Sequence, residues 1–127
     1  MNIILFNRDE LFVIALNAIA YFKAEDHYTC AYYINGDNML LPFGLSEIEE
    51  KINSANLHNE TFMRVGRSFI LNLQNIRHIS LLKEELTFVN GNGKSVRLYV
   101  SKRLLRNLAK HLKGETNLED EDFLGEE

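Results

Sequence analysis

Residues 62–73 read FMRVGRSFILNL. Two apolar runs flank Gly66-Arg67-Ser68, and Arg64 stands just before them. Short apolar runs bounded by a turn signal are the mark of short, buried strands. Such a strand does not hold an arginine among Val65, Phe69 and Leu71, because an unpaired charge is costly to bury. Gly66 permits a sharp backbone turn or a close approach. The stretch therefore reads as two strands broken by a loop that lifts Arg67 away from the core.

The same pattern extends outward in both directions. NIILF and LFVIAL flank residues 7–10 and suit a hairpin, and AIAYFKA and YTCAYYI flank Glu25-Asp26-His27. Asn35-Gly36-Asp37 is a tight-turn signal, from which NMLLPF returns. The period then changes. Ser46 followed by Glu49 has the form of a capping box, and Leu45, Ile48 and Ile52 share one face of a short helix near 46–53. Residues 53–61 are a polar loop. Beyond residue 73, IRHISLL, LTFV and SVRLYV read as strands, separated by turns at 83–85 and 90–93. Ser101 is placed to cap a helix over 102–112, with Leu104, Leu105, Leu108 and Leu112 on one face. Lys102, Arg103, Arg106, Lys110 and Lys113 take much of its remaining surface. The whole predicts a mainly β domain of about nine or ten short strands in small sheets, with two short helices. Strand order does not follow from these signals.

The 127 residues fit one domain, and 46% hydrophobic content suffices for a real core. The single cysteine, Cys30, has no internal partner, and no stretch nears the roughly 20 apolar residues of a membrane span. A cytoplasmic, non-membrane protein is expected. The net charge of −4 conceals a segregation: 3 bases and 9 acids over 1–63, 11 bases and 2 acids over 64–113, and 7 acids without a base over 114–127. A block of +9 within fifty residues has the character of a polyanion-binding surface. The final block is expected to be a mobile acidic tail. It reads as a solubilising segment, with folding back onto the basic block as the competing reading.

Catalysis finds no support in the sequence. Ser68 lacks a nucleophile motif with His and Asp partners, and Cys30 sits in a Tyr-rich run as a small apolar residue. His27, His58, His78 and His111 show no metal-ligand spacing, and no phosphate-binding glycine loop precedes a helix. No enzyme, metal or cofactor is called for. Nucleic-acid binding accounts for more. Arginine meets phosphate oxygens and can fork onto guanine in the major groove, while Ser and Asn side chains add neutral phosphate contacts.

IAYFKAEDHYTCAYYINGD, FMRVGRSFILNLQNIRHI and LYVSKRLLRNL, in this order, resemble the successive blocks of the LytTR-type DNA-binding domain. The resemblance spans about residues 2–112, with the middle block the most specific. It implies a bacterial transcription regulator domain, with an elongated fold of about ten strands in small antiparallel sheets. It also implies loops, rather than a recognition helix, inserted into successive major grooves of double-stranded promoter DNA. Carried over residue by residue, the base contacts are His27, Arg67 and Arg103. Arg64, Ser68, Lys102 and Asn72 stand beside them as phosphate contacts. Arg64 is read equally as pairing with an acid, and Asn72 as holding a turn. The domain is drawn at 1–113, with the tail at 114–127.

Two features depart from the family pattern. Where members carry histidine before the Arg-Ser pair this chain has Gly66, so that imidazole contact is absent and a more mobile loop is expected. Many relatives carry a receiver domain, and none is legible here, which suggests a fragment or a regulator with another input. Members often occupy paired sites, and whether this chain forms a homodimer stays open. The competing reading of the whole is a protein-interaction module whose basic face docks an acidic partner.

Overall fold

The computed structural model describes residues 1–55, 61–89 and 95–114. Among them are ten strands in three antiparallel sheets and two helices. Strands β1 (Asn2–Phe6) and β2 (Leu11–Ala15) form a separate two-stranded ribbon. A five-stranded sheet follows, built from β3 (Ile19–Glu25), β4 (Tyr28–Tyr33), β5 (Asn38–Leu41), β6 (Phe62–Val65) and β7 (Phe69–Asn72). Its order is β5-β4-β3-β7-β6. Strands β8 (Ile76–Ser80), β9 (Glu85–Phe88) and β10 (Val96–Tyr99) make a third sheet in the order β10-β9-β8. Helix α1 (Leu45–Ala55) links β5 to β6, and α2 (Lys102–Lys113) follows β10.

The five-stranded sheet is the middle layer, because both of its faces are apolar. On one face Phe22, Ala31, Leu41 and Ile70 join Ile3, Leu5 and Ile14 of the ribbon and Ile48 and Ile52 of α1. On the other, Tyr21, Val65 and Leu71 join Leu86, Phe88 and Leu98 of the third sheet and Leu105 and Leu108 of α2. Adjacent residues such as Tyr21 and Phe22, or Ile70 and Leu71, thus enter opposite cores, as the two-residue strand period requires. The Tyr21 ring stacks on Tyr32 with centroids 4.5 Å apart. Burial, and then the neighbouring Tyr32 phenol, pushes the Tyr21 hydroxyl above the usual tyrosine range, which marks this pair as packing.

The turns behave as their chemistry dictates. Asp37 N–H donates to the Asn35 side-chain oxygen at 2.8 Å, and Gly36 takes φ +95° in the tight turn. Ser101 accepts from the Leu104 amide at 3.4 Å and caps α2, which ends on Gly114 at φ +77°.

Several expectations need correction. Helix α1 starts at Leu45, and its start is closed by Glu47: Gly44 N–H donates to the Glu47 carboxylate at 3.1 Å. Ser46 and Glu49, read as a capping box, instead accept hydrogen bonds from Arg64. On α2, Leu112 is 44% exposed whereas Lys110 is buried. The turn at 83–85 sits one residue or more earlier, since Glu85 already begins β9. Residues 90–93, residues 56–60 of the polar loop and the acidic tail from 115 on lie outside the described residues.

Candidate nucleic-acid interface

Residues 66–68 close the hairpin between β6 and β7, in which Val65 pairs with Phe69. The apolar residues on either side hold the base of this turn: Val65 and Leu71 are buried and Phe69 is half-buried. Arg67 is exposed at its tip. Two further bonds fix the turn. Ala24 N–H donates to the Ser68 carbonyl at 2.8 Å, which ties it to β3. The Arg64 guanidinium donates to the Arg67 carbonyl at 3.1 Å.

Arg64 is itself held from α1. Its guanidinium meets the Glu49 carboxylate at 2.8 Å and the Ser46 hydroxyl at 3.4 Å. Both ionic partners are partly exposed, at 28% for Arg64 and 38% for Glu49, so the pair contributes modestly to stability. Its structural consequence is positional: the arginine beside the loop props the loop backbone. Of the two readings of Arg64, the structure shows pairing with an acid.

The Asp26–His27 turn lies beside this loop. Asp26 takes φ +59°, a left-handed conformation that aspartate tolerates, and so lets β3 reverse into β4 within two residues. His27 is exposed there. His27 and Arg67 line one surface concavity, with Asp26, Ser46, Glu47 and Arg64 also on its wall. Glu47 is engaged by the Gly44 amide and Glu49 by Arg64, so part of the local negative charge is already partnered.

The start of α2 abuts the same loop from another side. Gly66 sits at φ +63°, and a Cβ there would lie 3.2 Å from the Leu104 Cδ1. Glycine thus serves both the backbone conformation and the close approach of the helix. Arg103, the residue before Leu104, is exposed, and Lys102 is half-buried. Three chain segments, near residues 27, 67 and 103, therefore meet around one loop. A Gly66→Ala variant is expected to lose about 1–2 kcal/mol from left-handed strain alone, with further loss from the Leu104 contact. Pairing it with Leu104→Ala should relieve only the second part, which chemical denaturation of the single and double variants would separate.

Asn72 is a correction to the site. It is 1% exposed, and its amide donates to the carbonyls of Leu16 at 3.2 Å and Ile19 at 3.0 Å while its oxygen accepts from Gln74 N–H at 3.1 Å. With these groups engaged in the interior it has nothing to offer a phosphate, and it holds the turn between β2 and β3 instead. Asn75 does the same from the next turn, donating to the carbonyls of Asn17 and Ile19. The sequence reading missed the Arg64 brace and the Gly66–Leu104 contact. Gly44 followed by Glu47 was a legible alternative cap that would have released Ser46 and Glu49 for another role.

A family model described as the LytTr DNA-binding domain matches residues 9–113. The chain belongs to the LytTR DNA-binding domain family. All three segments around the loop fall inside the match, and β1 falls before it. This LytTR domain is also similar in fold to a solved structure of a LytTr DNA-binding domain from Bacillus cereus. The two share 23% identity with a TM-score of 0.56, over 87% of this chain and 95% of that one. No match was found among curated proteins. The family is one of DNA-binding domains, which supports DNA binding in transcription regulation. No helix among the described residues is long and apolar enough to cross a membrane.

Proposed function

We propose that this LytTR domain binds duplex promoter DNA sequence-specifically, with the Asp26–His27 turn, the 66–68 loop and the first turn of α2 as its contact surface. In this reading His27, Arg67 and Arg103 address bases in successive major grooves. Ser68 and Lys102 take phosphates, and Arg64 contributes mainly by holding the loop. The observation that carries the reading is the meeting of three distant segments around Gly66, each offering an exposed cationic or titratable side chain.

The charge pattern of α2 supports it independently. A helix start carries a partial positive charge and is ordinarily stabilised by acidic residues. Helix α2 has none in its first turn and places Lys102 and Arg103 there. That arrangement costs the isolated helix a few tenths of a kcal/mol and suits a bound anion. A domain that reads bacterial promoters works in the cytoplasm, and paired sites could be filled by two independent copies or by a homodimer.

A gel-shift titration against random duplexes at several salt concentrations tests the reading. Retention should fall steeply with salt, the logarithm of the binding constant dropping by roughly 0.9 per phosphate neutralised for each tenfold rise. Lys102→Ala should weaken all sequences evenly and lower that slope by about 1. No retention at low salt would favour an acidic protein partner for the same surface.

A further inference from the structure

The outer face of the β1–β2 ribbon is apolar and uncovered. Ile4 is 44% exposed, Phe6 65%, Leu11 61% and Val13 56%, and the ladder pairs Ile4 with Val13 and Phe6 with Leu11. Asn2 and Ala15 form the next exposed pair on the same face. At roughly 150–200 Å² per large side chain, the four apolar residues leave on the order of 400 Å² open, in the range of patches that mark interaction sites.

We infer that this face is a self-association surface, at which two copies of the chain pack ribbon on ribbon about a two-fold axis. The size of the side chains along the ribbon favours a second copy. Phe6 and Leu11 lie at the tip, Ile4 and Val13 in the middle, and Asn2 and Ala15 at the root. A two-fold axis across the ribbon through the Ile4–Val13 pair lays the bulky tip row of each copy on the small root row of the other. Large residues then meet small ones at both ends, as well-packed layers require, and the interface is isologous. The face holds no charged residue, and neither strand carries the Lys or Pro that commonly guards a free edge.

Two such faces, with Asn2, Ala15 and adjoining backbone, bury about 1,000 Å² in total, the lower bound for a specific interface. The dimer is therefore weak and concentration-dependent, with a dissociation constant on the order of 10–100 µM. His27, Arg67 and Arg103 all lie outside the ribbon, so the pairing leaves the proposed DNA surface of each copy uncommitted and suits adjacent occupation of paired sites.

Sedimentation equilibrium of the 127-residue chain from about 1 to about 500 µM tests this without DNA, so its failure is distinct from failure of the DNA reading. The average mass should climb reversibly from monomer toward dimer. Phe6→Glu and Leu11→Glu, both at exposed positions, should stay monomeric across the range with thermal midpoints within a few degrees of the parent. Val13→Cys in a Cys30→Ser background should form a disulfide-linked dimer under mild oxidation, since Val13 sits beside the axis; this arm holds even if a glutamate variant folds poorly. A parent chain that remains monomeric throughout overturns the proposal. So does a dimer that survives both glutamate changes, or a Val13→Cys chain that fails to cross-link.

Discussion

Replacing Asn72 with alanine is expected to lower the unfolding free energy by about 1–3 kcal/mol. The estimate follows from what the amide does. It is almost fully buried, and it donates to the carbonyls of Leu16 and Ile19. Each of the two bonds contributes about 0.5–1.5 kcal/mol net, about 1–3 kcal/mol together. Neither acceptor is left bare: Ile19 retains the Asn75 amide, and the Leu16 carbonyl retains the Ile19 N–H. Gln74 N–H loses its acceptor too, but Gln74 is exposed and water replaces it. Thermal unfolding should show a fall of roughly 5–10 °C. Asn72→Asp should be worse at neutral pH, because a carboxylate would face two carbonyl oxygens. Protonation restores one donor, and burial against carbonyls raises the carboxyl's folded-state pKa, so that variant should regain stability as pH falls from neutral, with the gain complete by about pH 4, the unfolded aspartate value.

Arg67→Ala and Arg103→Ala should each weaken binding to a preferred duplex by about 1–3 kcal/mol, and together by roughly 2–6 kcal/mol if they read separate base pairs. Each loss should come with relaxed base preference at one position. The fold should not suffer. Both side chains are exposed, and the Arg67 group that braces the loop is its backbone carbonyl, which alanine keeps. Unfolding free energies should therefore stay within about 0.5 kcal/mol of the parent. Equal losses on all sequences would reassign the two residues from bases to phosphates.

Much of this architecture was legible in local signals. Turn chemistry placed the hairpins at residues 7–10, 25–27 and 35–37, and a charge stranded among Val65, Phe69 and Leu71 exposed the loop at 66–68. The order of the middle sheet was not legible. Strand β7 pairs with β3 across nearly fifty residues, Leu71 against Tyr21, and such a pairing is decided by packing rather than by any nearby residue. Central strands also hide their faces. Ile70 and Leu71 are both buried, in different cores, so no alternation shows in the string.

The site was legible in part for related reasons. Arg67 and Arg103 stood out as cations beside strand and cap signals. The brace beneath them did not, because Arg64 and Glu49 lie fifteen residues apart. Ser46 and Glu49 also imitate a capping box, whereas the Glu47 carboxylate, accepting from Gly44 N–H, closes the helix start. Asn72 looked like a polar residue near DNA until its burial was known. Gly66 departs from the family's usual histidine, and the close approach of Leu104 supplies a physical reason for glycine in this chain.

Amide chemical-shift mapping, with the labelled domain titrated by a duplex selected from a random pool, tests the central claim most directly. The account predicts that the largest perturbations fall together at residues 26–27, 66–68 and 101–104 and spare the outer face of the β1–β2 ribbon. Perturbations centred elsewhere, or confined to one of those three segments, would contradict it.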